Sequence, residues 1–259
     1  MKRNRNPETR LYRSFADDFV ESRNQSFRLP ENYAWIHEKL PYRIFSKCLY
    51  LLAVLFAFPY CRFGLHMKIE DRSAPGRRTA PGCFLYGNHT QPVGDAFIPV
   101  RIFAPRHCYV GVSPANLGIP ILGPLLPMLG ALPMPRSISG MKQFKEAVRV
   151  RTAGRGCVAF YPEAHVWPWY TGIRPFPAAP FGFPVECRVP CFCMTTTYQK
   201  RKRGRKPGIT VYLDGPFYPD GSLSRKRQKE KLRDEIYGCM VWRSQNNTYQ
   251  YINYEKAEF

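Results

Sequence analysis

Apolar and polar positions along this chain fall into three regimes. Residues 1 to 40 are basic and polar with scattered aromatics, and read as a loosely packed extension. Residues 44 to 63, IFSKCLYLLAVLFAFPYCRF, form the most hydrophobic stretch, but its uninterrupted core from Cys48 to Phe58 falls short of the roughly 20 residues a spanning helix needs. From Leu65 onward, short strand patterns alternate with helical ones. LHMKIE alternates as a half-buried strand, and CFLYGN, HCYVGV (107–112) and residues 157–161 read as buried strands. VPCFCMTTTYQ and GITVYLDGPFY complete the strand set. SISGMKQFKEAVRVRTA predicts an amphipathic helix with Met141, Phe144, Ala147 and Val148 on one stripe, capped by Ser137 or Ser139. SLSRKRQKEKLRDEIYGCMVWRS predicts a second, with Leu223, Leu232, Ile236 and Met240 inward. Residues 113–137 are too rich in Pro, Gly and Leu for a long regular helix, and read as an apolar connection able to shape a channel. The pattern therefore predicts a three-layer or two-layer α/β domain behind an N-terminal helical segment.

The plan that follows is an extension over 1–40, a helical segment over 41–64, an α/β domain over 65–243 and a tail over 244–259. Arg43, Lys47 and Arg62 flank the apolar run, with Tyr42, Phe45, Tyr50 and Tyr60 near its ends. Basic groups and aromatics in those places suit an interfacial membrane anchor, while an ordinary core helix remains the alternative. The run starts too far in, and lacks a following small-residue cleavage site, to read as a signal peptide.

Charge sharpens this picture. Thirty-nine Lys and Arg against 19 Asp and Glu give a formal net charge of +20 over 259 residues. Such an excess calls for an anionic partner, whether nucleic acid, an anionic bilayer or a phosphorylated small molecule. With 44% apolar residues the charge decorates a folded protein. The nine cysteines lack paired C-x-x-C spacing, so a zinc site is not expected and a reduced, cytosolic setting is the simplest reading. The runs at 200–206 and 225–231 read as solvated charge without a base-reading motif.

Candidate chemistry concentrates in CFLYGNHTQPVGDAF. A buried strand ends at Gly87-Asn88, which delivers His89 into a loop, and Asp95 follows six residues later. On an ideal helix those two residues would lie about 240° apart, so their side chains meet only if Pro92 and Gly94 break the helix between them. A second strand end carries Glu163, His165, Trp167, Trp169, Tyr170 and Arg174, too polar and aromatic for a plain connection. Arg136 closes the apolar segment as an isolated cation, a candidate phosphate or carboxylate clamp.

With these residues in order, the sequence resembles the glycerolipid acyltransferases of the bacterial 1-acylglycerol-3-phosphate acyltransferase type, from about Tyr42 to about Met240. NHTQPVGD is similar to the family's first block, GIPILGPLLPMLGALPMPRS to the second, YPEAH to the third and RVPCFCMTTTY to the fourth. The resemblance implies an α/β fold with a mixed central sheet flanked by helices, and acyl transfer from acyl-CoA or acyl carrier protein to a lysophospholipid hydroxyl, with no cofactor and no metal. His89 would be general base and Asp95 its partner, with Asn88, Arg136, Glu163, His165 and Arg174 as substrate-binding residues and 117–132 along the acyl path. Oxyanion donors would come from backbone N–H groups of the His89 turn. It also implies anionic membrane lipids as partners, acyl carrier protein as a possible one, no nucleic acid, and a place on the cytoplasmic face of the cell membrane. The sequence departs from the family twice. Five residues, Thr90 to Gly94, separate His89 from Asp95 where four are usual, and Ala164-His165-Val166 follows Glu163 where a Gly-Thr-Arg run is usual. Arg136 and Arg174 are the cations available to replace that arginine. An N-acyltransferase with an amine acceptor, and a non-catalytic basic membrane or nucleic-acid binder, stand as the alternatives.

Overall fold

A computed structural model describes residues 8–20, 24–73, 80–202, 204 and 206–257. A seven-stranded sheet forms the centre, built from β2 (Met67–Asp71), β3 (Cys83–Gly87), β4 (Cys108–Val112), β5 (Ala131–Pro133), β6 (Cys157–Phe160), β7 (Cys191–Gln199) and β8 (Gly208–Phe217). Their spatial order is β2-β8-β7-β3-β6-β4-β5. Every neighbouring pair is parallel except β7 with β8, so the sheet is mixed, as the resemblance implies. All five residues of β3 and the first eight of β7 are buried, because central strands are covered on both faces and so lose polar alternation.

Two apolar clusters fill the space on either side of the sheet. On one face α1 (Leu40–Pro59), which continues through a π-turn at Tyr60–Gly64, packs beside α2 (Gly94–Phe103). Ala57, Cys61, Ile98, Ile102 and Phe103 meet Leu85, Phe192 and Met194 there. On the other face α3 (Ile138–Ala153), α4 (Gly182–Cys187) and α5 (Arg225–Ser244) cover a cluster that holds Phe84, Phe144, Phe160, Ile236 and Met240. Ser137, of the two candidate caps, starts α3 by accepting from the Gly140 N–H, and Ser224 does the same for α5 from Arg227 N–H.

The structure corrects several expectations. The described residues of the N-terminal extension, 8–20 and 24–40, are not loosely packed. β1 (Glu8–Tyr12) pairs in parallel with β9 (Ile252–Lys256), which lies in the stretch read as a tail. Tyr12, Phe15 and Phe19 pack on Trp167 at ring separations of 4.8, 5.9 and 5.2 Å. Trp35 is buried and donates its indole N–H to the Pro133 carbonyl at 2.9 Å. Aromatic anchors, not aliphatic periodicity, attach this segment, so a search for helix or strand periods passes over it. Residues 1–7, and positions 203 and 205 of the basic run, lie outside the described residues.

Leu223 precedes α5 and is exposed, so the helix buries Leu232, Ile236 and Met240 without it. Residues 113–137 are irregular, as their composition requires, but they also supply β5 after two 3₁₀ turns at Pro114–Gly118 and Gly123–Leu129. Among the described residues one helix, Leu40–Gly64, is long and apolar enough to cross a membrane. Its inward face is fixed by polar contacts: Tyr50 Oη accepts from Cys108 N–H at 2.8 Å and Ser46 Oγ donates to the Met128 carbonyl at 2.9 Å. Leu51, Leu52, Leu55 and Phe56 face outward, each more than half exposed.

Candidate active site

β3, β6 and β7 run in parallel, and their carboxyl ends meet at one edge of the sheet, the place where open α/β sheets hold ligands. Asn88 leaves β3 first. Its side-chain amide donates to the Thr196 carbonyl at 3.0 Å and its oxygen accepts from Thr196 N–H at 2.8 Å. With both ends engaged and the residue buried, Asn88 pins the turn to β7. His89 follows, and from there to Val93 the chain is not helical. Asp95 sits in the first turn of α2 and reaches back to the imidazole, with His89 Nδ1 and Asp95 Oδ2 2.7 Å apart. Pro92 and Val93 form a turn just before α2.

Asp95 is 3% exposed and its carboxylate also accepts from Gln91 N–H at 3.0 Å. Burial pushes its carboxyl above the usual range, while the His89 bond and nearby backbone N–H groups pull it back. Because Nδ1 is held by Asp95, the neutral imidazole carries its proton there and leaves the lone pair on Nε2. Nε2 has no hydrogen-bond partner among the described residues, and the side chain is 20% exposed, so this face can receive a proton from a bound molecule.

The backbone of the turn is clamped from the opposite strand end. His89 N–H donates to Glu163 Oε2 at 3.1 Å, Trp167 N–H donates to the His89 carbonyl at 3.0 Å, and Trp169 N–H donates to the Thr90 carbonyl at 2.9 Å. Since the N–H groups of His89 and Gln91 are taken by carboxylates, they are not oxyanion donors as expected of this turn.

Glu163 and Arg174 are brought together, but as a buried tie. Arg174 Nη2 lies 2.9 Å from Glu163 Oε2, and Arg174 N–H donates to Glu163 Oε1 at 3.0 Å. The guanidinium also donates to the His165 carbonyl and to the Phe15 carbonyl, and lies 4.9 Å from the Trp167 ring centre. With 1% of Arg174 exposed, this cation is spent on the protein, which corrects its reading as a clamp for acceptor phosphate. Glu163, likewise buried, orients the His89 backbone in place of a substrate. His165 is partly exposed, with Nδ1 3.4 Å from Asp18 Oδ2. Arg136 stands exposed three residues beyond β5, without a side-chain partner among the described residues, at the rim of a cavity of about 250 Å³ that Arg28, Trp35 and Ser137 also line. In the segment expected along the acyl path, Ile121 is 88% exposed and Leu122 is exposed beside it.

Tyr161 escaped the sequence reading. Its ring stacks on His89 at 4.5 Å with planes 17° apart, and its hydroxyl donates to the Asp95 carbonyl at 2.6 Å. Burial and the Asp95 charge raise its phenol well above the ordinary value, so it stays a donor. The available signal was its place directly before Pro162-Glu163. A second missed group is Tyr198, whose hydroxyl meets Thr90 Oγ1 at 2.6 Å and accepts from Gln91 Nε2 at 2.9 Å. Its partners are more than 100 residues away, beyond any local pattern.

The mixed sheet with helices on both faces has the fold of a PlsC acyltransferase, and a partly exposed His89 with its buried Asp95 partner stands at the carboxyl ends of the parallel strands. No family model and no curated protein matches the chain. Among solved structures, the crystal structure of the 1-acyl-sn-glycerophosphate (LPA) acyltransferase PlsC from Thermotoga maritima is similar, with a TM-score of 0.53 and 12% identity over 76% of this chain and 81% of that one.

Proposed function

We propose that this protein is an acyltransferase that moves a fatty acyl group from a thioester, acyl-CoA or acyl carrier protein, to the hydroxyl of a lysophospholipid such as 1-acylglycerol-3-phosphate. The observation that carries this reading is the 2.7 Å contact from His89 Nδ1 to Asp95 Oδ2, which leaves Nε2 unpartnered on a partly exposed ring. In this mechanism Nε2 takes the proton of the acceptor hydroxyl as its oxygen attacks the thioester carbonyl. The new C–O bond forms, the C–S bond breaks, and the imidazolium returns its proton to the departing thiolate. Asp95 keeps the imidazole in the required tautomer and stabilises the imidazolium, as in a catalytic triad whose nucleophile comes from the substrate. The resemblance to PlsC supports the fold that holds these groups; the exposed apolar face of α1 and the +20 charge support work at an anionic lipid surface on the cytoplasmic side.

A second reading replaces the hydroxyl with an amine. It is favoured by the burial of Arg174 against Glu163, which leaves Arg136 as the remaining cation of the expected phosphate pair. Both readings are tested by mixing the protein with palmitoyl-CoA and following free thiol with lysophosphatidate, other lysolipids or amino acids as acceptors. Release that depends on acceptor and is abolished by His89→Ala supports transfer, and the acceptor that triggers it chooses between them. No release from any donor, carrier-bound included, overturns both in favour of a non-catalytic binder.

A further inference from the structure

At the sheet edge opposite His89, a cavity of about 260 Å³ opens between the N-terminal segment, α1 and the outer strands. The placement follows from the topology: His89 comes after β3, whereas His107, in this cavity, comes before β4, and both strands run parallel to β6. Arg43 and Lys47 enter from the first turns of α1, four residues apart and so on one helix face. Arg151, from the last turn of α3, enters from the other wall. Among the described residues no Asp or Glu lines the space.

The cations are not neutralised by the protein. Neither Arg43 nor Lys47 has a side-chain partner among the described residues. Arg151 donates through Nη2 to the Trp35 carbonyl at 2.7 Å and lies 4.5 Å over the Tyr109 ring, but its Nε is buried without an acceptor. His107 is sandwiched between Tyr50 and Tyr109, at 3.7 and 4.2 Å, and its Nε2 is also buried without a partner. Burial and the neighbouring Arg151 hold that imidazole neutral, with its pKa lowered to about 4. The hydroxyls of Tyr33 and Tyr42 add two uncharged donors to the wall. The buried Arg151 Nε without an acceptor is costly unless an anion joins it, and Arg43 and Lys47 stand exposed at the same cavity, free to complete the site.

We propose that this cavity is a binding site for a phosphate-bearing anion, held by Arg43, Lys47 and Arg151 and separate from the acyl-transfer centre. A tetrahedral phosphate presents oxygens in several directions, which suits a fork on one wall and two long cations on the other. The phosphate comes either free in solution or as the headgroup of an anionic lipid against which α1 lies.

The experiment titrates the full-length protein with inorganic phosphate by calorimetry, and separately floats it on phosphatidylcholine vesicles with and without phosphatidate. Arg43→Ala/Lys47→Ala removes two exposed cations from the cavity and is expected to weaken binding by about tenfold or more. Arg151→Met should do the same. Lys226→Ala/Lys229→Ala removes equal charge from the distant start of α5 and should leave binding unchanged. Saturable phosphate binding lost only in the cavity variants supports the site with free phosphate as ligand. Phosphatidate-dependent flotation lost only in those variants, without binding of free phosphate, supports it with the lipid headgroup. Equal loss in the α5 variant, or no loss in Arg43→Ala/Lys47→Ala, means diffuse charge attraction and overturns the proposal. Since His89→Ala touches none of these residues, it should bind phosphate like the parent, which separates this inference from the acyl-transfer reading.

Discussion

At the scale of single residues, the buried Asp95 carboxylate is in tension with stability. Its folded pKa is raised, so between the ordinary carboxylate value and the raised one the folded state keeps a proton that the unfolded chain has released. Stability therefore falls as pH rises through that window, and the ionised group costs stability at neutral pH. Asp95→Asn is expected to keep or raise the melting temperature at pH 7 relative to the parent, a difference that disappears in acid. The same change should lower kcat by on the order of 10³ to 10⁴, because the imidazole loses its enforced tautomer. Activity should drop as pH falls through the raised Asp95 window, because a protonated carboxyl no longer accepts from His89 Nδ1 as a charged partner, a loss read from kcat/KM against pH. Ala164 offers a separate test. It sits at φ +67°, a left-handed backbone that favours glycine. Ala164→Gly should stabilise the fold by about 1 kcal/mol in denaturant titration, with His89 chemistry intact.

At the scale of elements, the decisive contact joins two strand ends. The loop after β6 holds the loop after β3 through Glu163 and the backbones of Trp167 and Trp169, and Arg174 locks Glu163 from behind. Removing one member of a buried ion pair strands the other. Arg174→Met is therefore expected to cost about 3–5 kcal/mol by urea unfolding, and Glu163→Gln a similar amount. The double variant should cost clearly less than the two single changes added together, as measured by a double-mutant cycle. Because Arg174 also reaches Phe15, and Trp167 packs against Tyr12, Phe15 and Phe19, the same loop attaches the N-terminal segment. Limited proteolysis should then release that segment faster in Arg174→Met than in the parent.

At the scale of the whole molecule, α1 is unusual in showing its apolar face to the outside while its inward face is tied by Ser46 and Tyr50. A surface of this kind fits a lipid interface better than water. Leu51→Glu/Leu55→Glu should weaken vesicle binding by on the order of a hundredfold, while far-UV circular dichroism and phosphate binding at the Arg43–Arg151 cavity stay as in the parent. Retained flotation in that variant would remove α1 as the docking element.

The chain alone determined the α/β alternation, the amphipathic helices α3 and α5 with a serine cap for α3, and the placing of His89 and Asp95 on either side of a Pro-containing turn. Each of these rests on local rules: apolar runs for buried strands, period-3.6 stripes for helices, and a Pro/Gly break that permits a short return path. Only the tertiary structure decided what the other polar residues do. Arg174 and Glu163 look like substrate ligands in a linear reading because charge near a strand end signals function; their mutual burial turns them into a brace. The Trp35 anchor, the β1–β9 pair and the Arg43–Lys47–Arg151 cavity join residues about 100 or more positions apart. Such contacts are set by how elements pack around the core, and sequence periodicity extends only a turn or a strand in either direction.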